Sequence, residues 1–62
     1  MYKVQVVPVG TNNMWEYHIV FEKNGHQHTI GKGYRTTEQA ARMDGAADMR
    51  LARSFGIGLY AS

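Results

Sequence analysis

The sequence predicts an α+β domain: a three-stranded antiparallel β-sheet packed on one face by a single C-terminal α-helix, in the order βββα. Apolar and polar residues alternate through the first part of the chain, as in half-buried strands, and an Asn-Gly pair separates two such runs. Further on, apolar residues recur every three or four positions, as on one face of a helix. The 62 residues contain no linker, repeat or low-complexity tract, so residues 1–62 are expected to form one domain.

Two turns delimit the three strands. Residues 10–14, GTNNM, have the composition of a loop. Asn24-Gly25 predicts a two-residue hairpin turn, because both residues tolerate the positive φ that a type I′ turn requires. The strands are therefore expected at Tyr2–Val9, 15–23 and 26–34. Pro8 places the first strand at an edge of the sheet, because proline cannot donate a hydrogen bond to a second neighbour.

The pairing register follows by counting outward from the turn. Lys23 then lies opposite His26, and the next pairs on that face are Phe21 with His28, Ile19 with Ile30, Tyr17 with Lys32 and Trp15 with Tyr34. With Tyr2, Val4 and Val6 from the first strand, these residues make an aromatic, apolar face. The opposite face is mixed polar and carries Lys3, Gln5, Val7, Glu16, His18, Val20, Glu22, Gln27, Thr29, Gly31 and Gly33.

The helix is expected to begin at Thr36, because Thr36 and Gln39 have the spacing of a capping box, and to end in the glycine-containing stretch 56–58. The apolar stripe expected to cover the aromatic face of the sheet consists of Ala40, Met43, Ala47, Leu51 and Phe55. The residues expected to face solvent are Glu38, Arg42, Met49 and Arg53. The tail IGLY, residues 57–60, is expected to fold back over the core.

Composition narrows the range of functions. With no cysteine, the chain can form neither a disulfide framework nor a thiolate zinc site. No apolar run reaches the length of a membrane span, and MYKVQVVPVG lacks the features of a signal peptide, so we expect a cytoplasmic protein with no membrane association. Seven Lys and Arg against five Asp and Glu give a net charge of +2, which permits a polyanionic partner without requiring one.

Two groups of side chains have the composition of a chemical site. His18, His26 and His28 suggest a metal site, but the pairing puts His18 and His28 on opposite faces, so polar edge residues are the favoured interpretation. Asp44 and Asp48 lie one helical turn apart, like a pair of catalytic carboxylates. A core this small is not expected to form a pocket over them, and we expect them to tie the helix to a backbone donor or to Arg35. We therefore predict a binding module that is not an enzyme and has no metal and no cofactor.

Three segments, WEYHIVF, HTIGKGYRTTEQAA and MDGAADMRLARSFG, together resemble a known family. They are similar to DNA-binding domains of the Apetala and ethylene-response-factor type, and more closely to short relatives of that type in phage and bacterial integrases and homing endonucleases. The resemblance covers nearly the whole chain. It rests on Trp15 at the start of the second strand, the Ile30-Gly31 pair, Tyr34, the helix start TEQAA at 37–41, and Asp44 with Ala46-Ala47.

The resemblance implies that the exposed sheet face enters the major groove of double-stranded DNA. Carried over by position, the contacting residues are Lys3, Gln5, Val7, Glu16, His18, Val20, Gln27 and Thr29. A basic rim is formed by Lys23 and His26 at the hairpin tip and by Lys32 and Arg35 at its base. The protein would then be an accessory or regulatory protein of a phage or another mobile element.

A second interpretation uses the same sheet face for a protein partner. Members of the family carry mostly arginine and tryptophan on this face, whereas this chain places a nearly neutral set there. Exposed Val7 and Val20 would suit a host protein or a second copy of the chain. Salt separates the two interpretations, because DNA binding weakens steeply with salt and binding through a neutral protein interface does not.

Overall fold

The computed structural model describes residues 1–10 and 13–57 and shows one antiparallel sheet followed by one helix, as predicted. The elements are β1 (Tyr2–Val9), β2 (Met14–Lys23), β3 (His26–Arg35) and α1 (Glu38–Phe55). The strand order β1-β2-β3 makes β2 the central strand and leaves β1, with Pro8, at an edge. Strands β2 and β3 each extend one residue further than expected at the end away from their shared turn.

The hairpin between β2 and β3 has the predicted turn. Asn24 has a φ of 54° and Gly25 a φ of 79°, both in the left-handed region that a type I′ turn requires. Lys23 pairs with His26 and Phe21 with His28, as counting from the turn predicts. The sequence therefore specifies the turn and the first pairs beyond it.

A bulge in β3 changes the register halfway along the hairpin. Val20 pairs with Thr29, but Ile19 pairs with Gly31, so Ile30 has no partner of its own on β2. The pairs predicted beyond this point are wrong, and the observed ones are Ile19 with Gly31, His18 with Lys32, Tyr17 with Gly33, Glu16 with Tyr34 and Trp15 with Arg35. One extra residue reverses the side of the sheet that every later residue faces. Lys32 and Tyr34 consequently point away from the helix, and Gly31, Gly33 and Arg35 lie on the helix side.

Two glycines lie against the ring of Tyr17 at the centre of the core, and the bulge places one of them, Gly33, opposite it. A Cβ added to Gly33 would lie 2.6 Å from Cζ of Tyr17, and one added to Gly45 on the helix would lie 2.8 Å from Cγ1 of Val4 and 3.2 Å from the Tyr17 ring. The ring therefore lies between a strand and a helix that can approach it only because both have glycine there. The predicted register would have placed Lys32 opposite Tyr17, where the side chain of a lysine has no room.

The helix begins one residue later than predicted. Thr37, not Thr36, is the N-cap: its backbone is extended, and its side-chain oxygen accepts a hydrogen bond of 3.1 Å from the backbone N–H of Ala40. At the other end Gly56 has a φ of 67°, and the N–H groups of Gly56 and Ile57 donate to the carbonyls of Arg53 and Ala52. Gly56 thus ends the helix in the expected stretch.

The helix presents a different side to the sheet from the one predicted. Its buried residues are Ala41, Gly45 and Ala52, and Met49, expected in solvent, packs against the core. The large residues of the predicted stripe are exposed: Met43 by 63%, Leu51 by 57% and Phe55 by 76%. Small residues face the sheet because the helix must come close to Tyr17, and larger side chains would hold it away.

The buried cluster is small and combines all four elements. It contains Tyr17, Ile19, Ala41 and Ala52, with Tyr2, Val4, Val6, Trp15, Ile30 and Met49 packed against it. From the predicted tail, Ile57 is half-exposed, and its carbonyl accepts a hydrogen bond of 2.7 Å from the Tyr2 hydroxyl. The rest of that tail lies outside the described residues.

Candidate nucleic-acid interface

One face of the sheet is left uncovered by the helix, and we call it the outer face. It consists of Lys3, Gln5, Val7, Glu16, His18, Val20, Glu22, Gln27, Thr29, Lys32 and Tyr34. All eight strand residues that the resemblance assigned to DNA contact lie on this face. Simple alternation was sufficient to group them, since β1 pairs with β2 without interruption and Gln27 and Thr29 of β3 lie before the register change.

At the base of the hairpin, Lys32 and Arg35 do not form the basic rim that was expected. Lys32 belongs to the outer face itself, opposite His18 on β2. The assignment of Arg35 to the rim is corrected: this residue lies on the helix side, where its Nε donates to Oδ2 of Asp44 over 2.6 Å. Its guanidinium carbon is 5.5 Å from the centre of the Tyr17 ring. The bulge thus adds a lysine to the outer face and places the neighbouring arginine against the helix.

Both aspartates of α1 attach the helix to the sheet. Asp44 pairs with Arg35, as the sequence predicted. Asp48 accepts a hydrogen bond of 2.5 Å from the hydroxyl of Tyr17, a side-chain donor rather than the backbone donor expected. This hydrogen bond is the main cause that raises the pKa of Tyr17 above its ordinary value of 10.0. The two carboxylates therefore have structural partners.

Glu16 is an acidic residue of the outer face, and the groups around it compensate its charge. Nε2 of His18 lies 2.8 Å from its Oε1, and the hydroxyl of Tyr34 also hydrogen-bonds it. The hydrogen bond from Tyr34, followed by that from His18 and the nearby charge of Lys32, holds the pKa of Glu16 below its ordinary value of 4.5. The same bond raises the pKa of Tyr34 above 10.0. Glu16 is therefore ionised at neutral pH and held by its own neighbours.

Tyr34 was missed by the sequence as a residue of this face. Counting from the turn placed it with Trp15 in the core, and only the bulge brings it opposite Glu16. A local signal did exist, because the Gly-Lys-Gly sequence at 31–33 puts two glycines on a predicted polar face and a lysine on a predicted apolar one. Such a reversed pattern is typical of a change in register.

Only one of the two valines proposed as apolar contacts is exposed. Val7 is 42% exposed, but Val20 is only 3% exposed. Val20 lies on the central strand between Lys3 of β1 and Thr29 of β3. The expectation that Val20 is exposed is therefore wrong.

The hairpin tip and the helix provide two further surfaces. At the tip, Lys23 and His26 pair with each other and are exposed. Beside the C-terminal half of α1, a shallow groove of about 340 Å³ runs along β3. It is lined by Ile19, Ile30, Gly31, Lys32, Asp48, Leu51, Ala52, Phe55 and Ile57. Only one of the two helical aspartates borders it, so it does not form a site around a carboxylate pair.

The histidines are spread over different parts of the sheet. His18 is on the outer face, whereas His28, opposite Phe21, is on the helix side. Among residues 1–10 and 13–57 there is no group of three or more His, Cys, Asp or Glu side chains able to hold a metal ion. The same part of the chain contains no helix with the length and apolar character needed to cross a membrane.

Comparison with known proteins gives no match among protein-family models, curated proteins or solved structures. Functional inference consequently depends on the geometry and chemistry of the surfaces described above.

Proposed function

We propose that this protein binds double-stranded DNA through the outer face, with its strands in the major groove. The observation that carries this proposal is the one-sided architecture: the helix packs on one face of the sheet, and the uncovered face carries a nearly continuous polar surface. Strands about 4.8 Å apart place the two edge strands about 10 Å from each other, which is compatible with a major groove about 12 Å wide.

The side chains of the outer face have the hydrogen-bonding chemistry that DNA requires. Lys3 on β1 and Lys32 on β3 lie on the two edge strands and provide positive charge for phosphates on either side of a groove. Gln5 and Gln27 each carry an amide, a group that pairs well with the edge of adenine, and Nε2 of Gln27 also donates to Oε2 of Glu22 over 3.4 Å. Of the two acids on this face, Glu16 has its charge compensated by His18, Tyr34 and Lys32, so its repulsion of phosphate is reduced.

A second candidate function is binding of a host protein or a second copy through the helix. The sequence suggested the sheet face for such an interface, but Val20 is buried there, and of the two valines Val7 alone is exposed. The apolar surface instead lies on the helix side, where Leu51, Phe55 and Ile57 are exposed beside the groove. Exposed apolar residues that adjoin one another commonly mark a protein interface.

Titration of a fluorescent random-sequence duplex at two salt concentrations tests the DNA proposal. We expect binding at low salt that weakens steeply as salt rises, and Lys32→Gln should reduce the slope of log Kd against log salt by about one. Arg53→Gln is the matched control, because it removes the same charge from the exposed last turn of α1. The proposal is wrong if no duplex binds at low salt, or if the two substitutions weaken binding equally.

A substitution on the helix distinguishes the two functions. Phe55→Ser should leave DNA binding unchanged if the outer face is the binding surface, since Phe55 lies on the other side of the sheet. If the helix binds a second copy, sedimentation should show a concentration-dependent dimer that Phe55→Ser abolishes. A monomer at every concentration excludes the second copy as partner.

A further inference from the structure

The contact between Glu16 and His18 determines where the imidazole carries its proton. Nε2 of His18 is 2.8 Å from Oε1 of Glu16. An ionised carboxylate only accepts hydrogen bonds, so Nε2 must be the donor. In the neutral imidazole the other nitrogen, Nδ1, is then an acceptor. Gain of a proton by the ring would convert Nδ1 into a donor while leaving the bond to Glu16 intact.

The position of His18 places this change in the middle of the outer face. It lies on the central strand, between Gln5 of β1 and Lys32 of β3. The other charged or titratable groups around it on the outer face are Lys3 on β1, Glu16 on its own strand and Tyr34 on β3. Side chains in the middle of such a face are those that meet base edges, while lysines on the edge strands meet phosphates.

We infer that His18 selects bases in the major groove and that its preference changes when the ring is protonated. The neutral ring accepts a hydrogen bond from the exocyclic amino group of adenine or cytosine. The protonated ring donates one to the keto oxygen of guanine or thymine or to N7 of a purine, so cytosine, which offers only a donor, is the base that it disfavours. This inference rests on the proposed DNA-binding function and adds the residue that determines specificity and the chemistry by which it acts.

Glu16 is the positioning residue for this selection. By accepting from Nε2 it fixes both the tautomer and the orientation of the ring, as carboxylates do for other functional histidines. Glu16→Gln would relax this control, because an amide can either donate to the ring or accept from it. Its expected effect is a weaker base preference at neutral pH, with the protein still folded and still bound to DNA.

The test is selection from a pool of randomised duplexes at about pH 7.5 and about pH 5.8, at constant ionic strength. At one position of the enriched site, adenine and cytosine should be favoured at the higher pH, and cytosine should give way to guanine, thymine or adenine at the lower pH. One hydrogen bond corresponds to a change in preference of roughly threefold to tenfold. His18→Gln should bind at both pH values without the change, because an amide does not titrate in this range.

A matched control and the folding of each variant complete the experiment. His28→Gln makes the same replacement on the helix side of the sheet and should retain the change in preference. Circular dichroism at both pH values establishes that each variant is folded. If wild-type preferences are identical at both pH values, or if His18→Gln retains the change, this inference is wrong while DNA binding stands. If no duplex is enriched at either pH, the proposed function fails as well.

Discussion

Tyr17 shows how a single side chain sets requirements on its neighbours in a small core. Its ring is 3% exposed, between β3 and α1, and its hydroxyl bonds Asp48 at the helix surface. A large ring at the centre of so thin a domain leaves no volume for Cβ atoms directly above and below it. Gly33 and Gly45 meet this requirement, and neither has a positive φ. These glycines are therefore explained by close approach.

Replacing Gly33 by alanine should destabilise the protein by about 1 to 3 kcal/mol, the usual cost of forcing an extra methyl group into a packed core. The added Cβ would lie 2.6 Å from both Cζ and the hydroxyl oxygen of Tyr17. Gly31→Ala is the matched control on the same strand, where the new Cβ would be 3.5 Å from the nearest atom, Cγ1 of Ile19. Urea denaturation of the two variants checks this, and equal stabilities would contradict the proposed crowding.

At the scale of elements, the sequence was sufficient to predict which strands and which helix form. It was insufficient to predict which side of each element packs against the next. The Asn24-Gly25 turn and the end of the helix at Gly56 depend on local backbone chemistry, and both were predicted. The side of the helix that packs on the sheet was not. Periodicity gives most weight to large apolar residues such as Leu51 and Phe55, whereas the space beside Tyr17 admits only small ones.

For the candidate interface too, the sequence predicted the position of some strand residues correctly and of others wrongly. Residues of β1 and β2 were grouped correctly because simple alternation holds along their pairing. The register counted from the turn assigned Lys32 and Tyr34 to the wrong side of the sheet, because both follow the bulge at Ile30. For Arg35, the expected pairing with a helical aspartate is confirmed and the expected place in the basic rim is wrong. Ile30, the extra residue of the bulge, packs against the buried cluster that contains Tyr17, and a count of residues from the turn does not contain that information.

The start of the helix gives a direct test at this scale. Thr37→Ala should cost about 1 kcal/mol, because it removes the acceptor for the Ala40 N–H. Thr36→Ala removes the same atoms from the preceding residue and should change stability by only a few tenths of a kcal/mol, as expected at an ordinary surface position. Thermal unfolding monitored by circular dichroism measures both. A larger loss for Thr36→Ala would restore the capping box predicted from the sequence.

In the whole molecule, the helix is attached to the sheet by polar contacts around a small apolar centre. Arg35 pairs with Asp44, Tyr17 bonds Asp48, and the Tyr2 hydroxyl bonds the carbonyl of Ile57 beyond the helix end. These contacts reach the first half of the helix, its second half and the residues just beyond its end. They fix its position over the sheet where the small residues Ala41, Gly45 and Ala52 offer little shape to do so.

The bond between Tyr17 and Asp48 predicts a loss of stability in alkali. The pKa of Tyr17 is raised in the folded protein, chiefly by this bond. Its contribution is therefore complete below the unfolded value of 10.0 and is lost as the pH rises through the folded-state pKa. Tyr17→Phe should cost about 1 kcal/mol at neutral pH and show a smaller further loss above pH 10 than wild type. Urea denaturation across this range checks it, and parallel pH profiles for the two proteins would contradict the coupling.

The bulge at Ile30 also affects how this chain should be aligned with others. An alignment that treats β3 as a regular strand matches Gly31 and Gly33 to the surface positions of a homologous sheet, although Lys32 and Tyr34 occupy them here. An alignment that matches residues on the same face of the sheet must therefore place a one-residue gap opposite position 30. Sequence differences among relatives will be easiest to interpret when the tip and the base of the hairpin are compared separately, because residues of β3 before and after the bulge alternate between the two faces out of step with each other.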